Sequence, residues 1–132
     1  MILDRLLKYD IEASIPTVRD ADDEALEIPG YGYAAACTAQ ARFVAHQERG
    51  EVFGFWLEDN PAPGLAGVCR GHDFAVIAGR WIVDTWARFT AEVIPSAVID
   101  MHDKASADLI QQFYGDPTKW TLVETFTAGE PA

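Results

Sequence analysis

The spacing of hydrophobic residues predicts two helices in the first part of the chain. Residues 1–9 place apolar side chains three and four positions apart, which is helical spacing. The stretch 33–49 is rich in alanine, and Gly50 follows it where a helix commonly ends. One stripe of this second helix is formed by Cys37, Ala41, Val44 and Ala45. We therefore expect this helix to pack on a core, with Cys37 in or near its first turn.

The later part of the chain has the pattern of strands. β-Branched and aromatic residues lie between turn residues in the segments 51–57, 72–77, 80–84, 96–101 and 119–125. A third helix is predicted over 105–114. Helices come first and mostly antiparallel strands follow, which is an α+β layout. The predicted architecture is a Cys-bearing helix packed on a mostly antiparallel sheet.

The length and composition predict one globular domain. The chain has 132 residues, of which 49% are hydrophobic and 23% charged. We expect a single domain over 1–132, with a helical and acidic N-terminal extension over 1–30 and a core over 33–125. The acidic run Asp20–Glu27 is expected to lie on the surface, and Pro29-Gly30 to break the chain after it.

The charge balance limits the classes of partner. Ten Lys and Arg residues against 21 Asp and Glu give a formal net charge of −11. Such a protein repels phosphate backbones, so no nucleic-acid partner is expected. No run of 18 apolar residues and no signal-peptide pattern occurs, so we expect no membrane partner and a cytoplasmic location, or secretion into a host cell without a classical signal peptide. The oligomeric state stays open.

The two cysteines admit three interpretations. In a reducing compartment thiols stay free, so a Cys37–Cys69 disulfide is the less favoured alternative. Cys69 and His72 form a C-x-x-H pair, but a closed zinc site needs four ligands and no second pair accompanies this one. We therefore expect no metal and no cofactor. A reactive Cys37 is the third interpretation, because the first turn of a helix favours a thiolate through its unpaired N–H groups.

His72 and Asp84 are the residues predicted to activate that thiol. A three-residue loop over 77–79 would pair His72 with Asp84 across a hairpin, with Gly79 in the left-handed position that such loops use. A two-residue Ala78-Gly79 loop would instead place His72 on the opposite face. We favour the longer loop, in which Asp84 orients the imidazole and the other ring nitrogen faces Cys37.

These segments resemble the papain-like cysteine protease superfamily. Its minimal core is a helix led by the nucleophilic Cys, a strand that starts with His and a neighbouring strand that ends in Asn or Asp. The matching parts here are Cys37-Thr38-Ala39-Gln40, His72-Asp73-Phe74-Ala75-Val76 and Asp84-Thr85-Trp86. The segment 72–84 also resembles the His-to-Asp hairpin of transglutaminase-like enzymes. The resemblance covers about residues 33–86, and it implies that Trp86 shields the His–Asp pair from water.

The resemblance implies a catalytic triad of Cys37, His72 and Asp84 in a cysteine hydrolase, a thiol peptidase, amidase or deamidase. The family's oxyanion-hole Gln has no counterpart in residues 28–36, so the Cys37 N–H, with Tyr31 or Tyr33, is expected to bind the oxyanion. We expect a narrow protein or peptide substrate, by analogy with small bacterial effectors. One alternative is a non-catalytic acidic protein-binding module on the same scaffold. Another is a transglutaminase-type acyl transferase.

Overall fold

A computed structural model describes residues 2–11 and 36–126 of the chain. Five strands form one antiparallel sheet in the order β4-β3-β2-β1-β5. Their bounds are Glu51–Trp56 (β1), Gly71–Ile77 (β2), Trp81–Val83 (β3), Val98–Asp100 (β4) and Thr121–Thr125 (β5). The predicted α+β layout with an antiparallel sheet is confirmed.

Within residues 2–11 and 36–126, three α-helices and several short helical turns accompany the sheet. The α-helices are Ile2–Leu6 (α1), Ala36–Glu48 (α2) and Ala107–Tyr114 (α3). Turns of 3₁₀-helix are formed by Leu7–Asp10, Pro63–Leu65, Lys104–Ser106 and Pro117–Lys119, and a π-helical turn by Trp86–Thr90. Most predicted boundaries lie within a few residues of the observed ones. The start of the predicted second helix and the acidic run lie outside the described residues.

The sheet carries a hydrophobic core on each face. On one face, Val52, Ala75 and Ile77 pack against the buried stripe of α2 and against Leu6 and Tyr9 of the N-terminal segment. On the other face, the alternate strand positions pack against α3 and the loops. The residues that form this second core include Phe55, Leu65, Phe74, Val76, Ile82, Ile110 and Tyr114.

The β2–β3 hairpin has a register that differs from the predicted one. Ile77 pairs with Trp81, so the turn consists of residues 78–80 and not of residues 77–79. Ala78 and Gly79 both have positive φ, of 55° and 64°, and the Arg80 N–H donates to the Ile77 carbonyl at 3.1 Å. With left-handed backbone at both positions the chain reverses one residue later than expected. The opposed pairs shift by two positions, so His72 is not directly opposite Asp84, but side chains at both positions still face the same side of the sheet.

None of the helices in the described part of the chain combines the length and the apolar character needed to cross a membrane.

Candidate active site

Cys37 is the second residue of α2, so its backbone N–H lies in the first helical turn. The first four N–H groups of an α-helix have no intrahelical acceptor, and the helix dipole places partial positive charge there. The residue is 6% exposed, and it lines a cleft of about 590 Å³ on the side of the sheet that α2 covers. Thr38, Trp56, Cys69, Arg70 and Asp73 are among the other lining residues.

His72 is the second residue of β2, and its side chain is enclosed by aromatic rings. The ring centroid of Trp86 lies 4.9 Å from that of the imidazole, and those of Phe74 and Tyr114 lie at 5.8 Å. Phe55, directly opposite on β1, adds an edge contact at 6.4 Å. The side chain is 1% exposed, so the imidazole is shielded from bulk solvent.

Asp84 follows the last residue of β3 and leaves the strand ladder at that point. Its N–H donates to the Ala97 carbonyl at 2.7 Å, and the chain then turns into the π-helical turn. Oδ2 of Asp84 lies 2.6 Å from His72 Nε2 and accepts the Tyr114 hydroxyl at 2.5 Å, while Oδ1 accepts the Ala87 N–H at 3.0 Å. This buried carboxylate therefore has the partners that a charge in an apolar core requires.

The ion pair controls the protonation state of the imidazole. Burial alone lowers the pKa of His72, but the charge and hydrogen bond of Asp84, together with Cys37, outweigh it and raise the pKa to about 10. Burial and the nearby Asp84 charge raise the pKa of Tyr114 well above its ordinary value, so its hydroxyl stays a neutral donor. His72 is consequently an imidazolium at neutral pH.

One nitrogen of His72 is left for the sulfur of Cys37. Because Asp84 engages Nε2, Nδ1 is the remaining ring nitrogen, and it is buried with no hydrogen-bond partner in the part of the chain that is described. The Cys37 side chain is near enough to contribute to the raised pKa of His72. Hydrogen bonds between catalytic groups are often long before substrate binds. The thiol therefore lies between an unused imidazole nitrogen and an open cleft.

The structure brings the Cys37, His72 and Asp84 side chains together and places Trp86 against the imidazole. The indole is partly buried and packs with the second core. The predicted oxyanion contributors Tyr31 and Tyr33 lie outside the described residues.

The disulfide interpretation of the cysteines does not agree with the geometry. Cys37 and Cys69 are both free thiols, so they form no disulfide with each other. Among the residues that the structure describes, no group of three or more His, Cys, Asp and Glu side chains could hold a metal ion. Burial, followed by the nearby Cys37 and Asp84 charges, raises the pKa of the Cys69 thiol to about 11.

The sequence analysis missed the contacts that Tyr114 and Gln40 make beside the Cys37, His72 and Asp84 side chains. Tyr114 lies 30 positions from Asp84, and only its position four residues after Ile110 on an amphipathic helix indicated that it faces the core. Gln40, one turn after Cys37, is 1% exposed; it accepts the Thr85 hydroxyl at 2.7 Å and donates to Thr90 at 3.0 Å. This amide ties α2 to the segment that carries Asp84, and it is not available to an oxyanion.

Comparisons of the chain with protein-family models, with curated proteins and with solved structures gave no match.

Proposed function

We propose that this protein is a cysteine-dependent acyl-transfer enzyme with a papain-like core, in which Cys37 is the nucleophile. The observation that carries the proposal is the arrangement of His72. Asp84 holds its Nε2 at 2.6 Å, while its Nδ1 has no partner in the described structure and Cys37 lies nearby at the cleft. A carboxylate that orients one imidazole nitrogen and leaves the other for a nucleophile is the logic of catalytic triads.

The reaction that this arrangement supports begins with attack of the Cys37 thiolate on an acyl carbon in the cleft. An S–C bond forms, and the carbonyl electrons move onto oxygen. When the intermediate collapses, the leaving amine takes a proton from the His72 imidazolium and an acyl-enzyme remains. His72 then deprotonates water, whose oxygen attacks the acyl carbon; the S–C bond breaks, the acid leaves, and the thiolate–imidazolium pair is restored. If an amine replaces water, the same steps transfer the acyl group to that amine.

The backbone N–H groups at the start of α2 are the donors best placed to bind the oxyanion. The Cys37 N–H lies in the first turn, where backbone donors lack intrahelical acceptors. The described N-terminal turn carries no acidic side chain that would offset the helix dipole. A protein or peptide amide is the proposed substrate class, since the cleft is open and lies beside an edge strand, β5.

Selective alkylation tests the proposal. We expect iodoacetamide near neutral pH to modify Cys37 much faster than Cys69, because Cys37 lies beside the His72 imidazole at the cleft while the raised pKa of Cys69 keeps that thiol protonated. His72→Ala should slow labelling of Cys37 by about a hundredfold. Peptide mass spectrometry over a time course gives both rates. His72→Gln is the second variant, because it fills the buried site if the alanine variant does not fold.

The exposed His102 provides the matched control, and His102→Ala should leave the rate at Cys37 unchanged. Equal and slow labelling of Cys37 and Cys69 in the wild-type protein and in the His72 variants would rule out the enzyme. That result would favour the non-catalytic binding module, whose acidic surface would engage a basic partner.

A further inference from the structure

We infer that Thr38 and Asp73 form a positioning clamp that holds Cys37 in line with His72. The inference rests on the proposed function, because it concerns how the nucleophile and its base are aligned. The Thr38 hydroxyl donates to Asp73 Oδ2 at 2.6 Å, and this bond joins the first turn of α2 to β2.

The sequence positions of the clamp explain why it acts on the active site. Thr38 directly follows Cys37, and Asp73 directly follows His72. One short side-chain hydrogen bond therefore fixes the distance between the two backbone positions that carry the nucleophile and the base. Aromatic rings hold the imidazole, so a small shift of α2 along β2 would move the sulfur and not the ring. A misplacement of about 1 Å at a reacting group can cost a hundredfold in rate.

Gly54 makes room for the clamp. It lies directly opposite Asp73 in the β1–β2 ladder, and a Cβ atom at this position would be within about 2.1 Å of Asp73 Oδ1. The Asp73 carboxylate thus lies across the strand in the space that a side chain on β1 would fill. Any larger residue at position 54 would push the carboxylate away from Thr38.

The charge of Asp73 cannot be the useful property. A carboxylate beside the cleft disfavours a neighbouring thiolate by like-charge repulsion. Its contribution to the site must therefore come from the hydrogen bond, and a neutral acceptor of the same shape should serve as well. This distinguishes a positioning role from a direct electrostatic one.

The test measures the alkylation rate of Cys37 in a Cys69→Ser background, in which Cys37 is the one remaining cysteine. Thr38→Val keeps the shape and removes the hydroxyl; we expect it to lower the rate about tenfold, and Thr38→Ser to restore it. Gly54→Ala should lower the alkylation rate of Cys37 as much as Thr38→Val does. Asp73→Asn, which retains an acceptor without the charge, should keep the wild-type rate or exceed it. In a His72→Gln background Thr38→Val should have no effect, because the partner to be aligned is absent.

The matched control is a second bond between α2 and the sheet that lies farther from the sulfur. Arg42 and Glu124 of β5 form an ion pair at 2.8 Å, and Glu124→Gln weakens it. In the Glu124→Gln variant the alkylation rate of Cys37 should stay at the wild-type value. This should hold even if the melting temperature of Glu124→Gln falls as far as that of Thr38→Val. If Thr38→Val and Thr38→Ser react like the wild type while His72→Gln is slow, the clamp is wrong and the enzyme stands. If His72→Gln reacts like the wild type, the proposed function fails first.

Discussion

At the scale of single residues, the protein is organised around a buried charge pair. Asp84 receives three hydrogen bonds, including that of His72 at 2.6 Å, and the pair is sealed by aromatic rings. A buried ion pair is weak evidence for stability, since desolvation offsets much of its attraction. The pair holds the imidazole in one orientation, which the proposed reaction at Nδ1 requires.

The raised pKa of His72 makes the stability of the protein depend on pH. The folded protein holds a proton up to about pH 10, whereas an unfolded histidine releases it near 6.5. The contribution of His72 is therefore complete below pH 6.5 and is lost as the pH rises through 10. Between these limits we expect the unfolding free energy to fall by at least about 1.4 kcal/mol more than in His72→Gln. Urea unfolding at several pH values measures this; parallel curves for both proteins would contradict it.

At the scale of elements, hydrophobic spacing was sufficient to predict most helices and strands, because each has one face in a core. Ala41, Val44 and Ala45 of the predicted stripe are buried, and Cys37 of the same stripe lines the cleft. The hairpin register was wrong because it depends on the backbone conformation of Ala78, which the spacing does not reveal. His72 and Asp84 still share a face because the shift was even, and strand faces repeat every second residue.

Because Ala78 has a left-handed backbone conformation, a substitution at this position should increase the stability of the protein. A non-glycine residue at positive φ costs about 1–2 kcal/mol, and Asn tolerates this conformation better than Ala. Ala78 is exposed and precedes Gly79, so Ala78→Asn creates the Asn-Gly pair preferred in such turns. We expect a gain of about 0.5–1 kcal/mol in urea unfolding. The exposed Ala66, at φ −61°, is the control site, and Ala66→Asn should give no gain. Equal effects at both positions would show that the turn is not strained.

At the scale of the whole molecule, the N-terminal segment is tied to the rest of the chain by two carboxylates, those of Glu48 and Asp10. Glu48, at the end of α2, is 3% exposed in its side chain and contacts Arg5 at 2.7 Å and Lys8 at 3.1 Å. It also accepts the Tyr9 hydroxyl at 2.7 Å. Asp10 in turn accepts the Ser96 hydroxyl at 2.7 Å, beside β4. Contacts of this kind, between residues far apart in sequence, could not be predicted from local patterns.

Removing the charge of Glu48 should loosen this attachment. We expect Glu48→Gln to lower the unfolding free energy by about 1–2 kcal/mol, because partly buried hydrogen bonds to a charged group are weakened. The exposed pair Arg80–Asp100, at 2.8 Å, is the comparison, and Asp100→Asn should cost clearly less than Glu48→Gln because solvent screens an exposed pair. Thermal and urea unfolding of both variants provide the numbers. A Glu48→Gln protein as stable as Asp100→Asn would show that the N-terminal segment contributes little.

The most direct test of the whole account is to look for a covalent acyl-enzyme. The protein is mixed with p-nitrophenyl acetate, and intact and peptide mass spectra are recorded through the reaction. We expect one acetyl group to appear on Cys37 and then to be lost as water completes the cycle. Cys69→Ser should behave like the wild type, and His72→Gln should acetylate slowly. An acetyl group that never forms on Cys37, or that forms equally on Cys69, would contradict a catalytic Cys37.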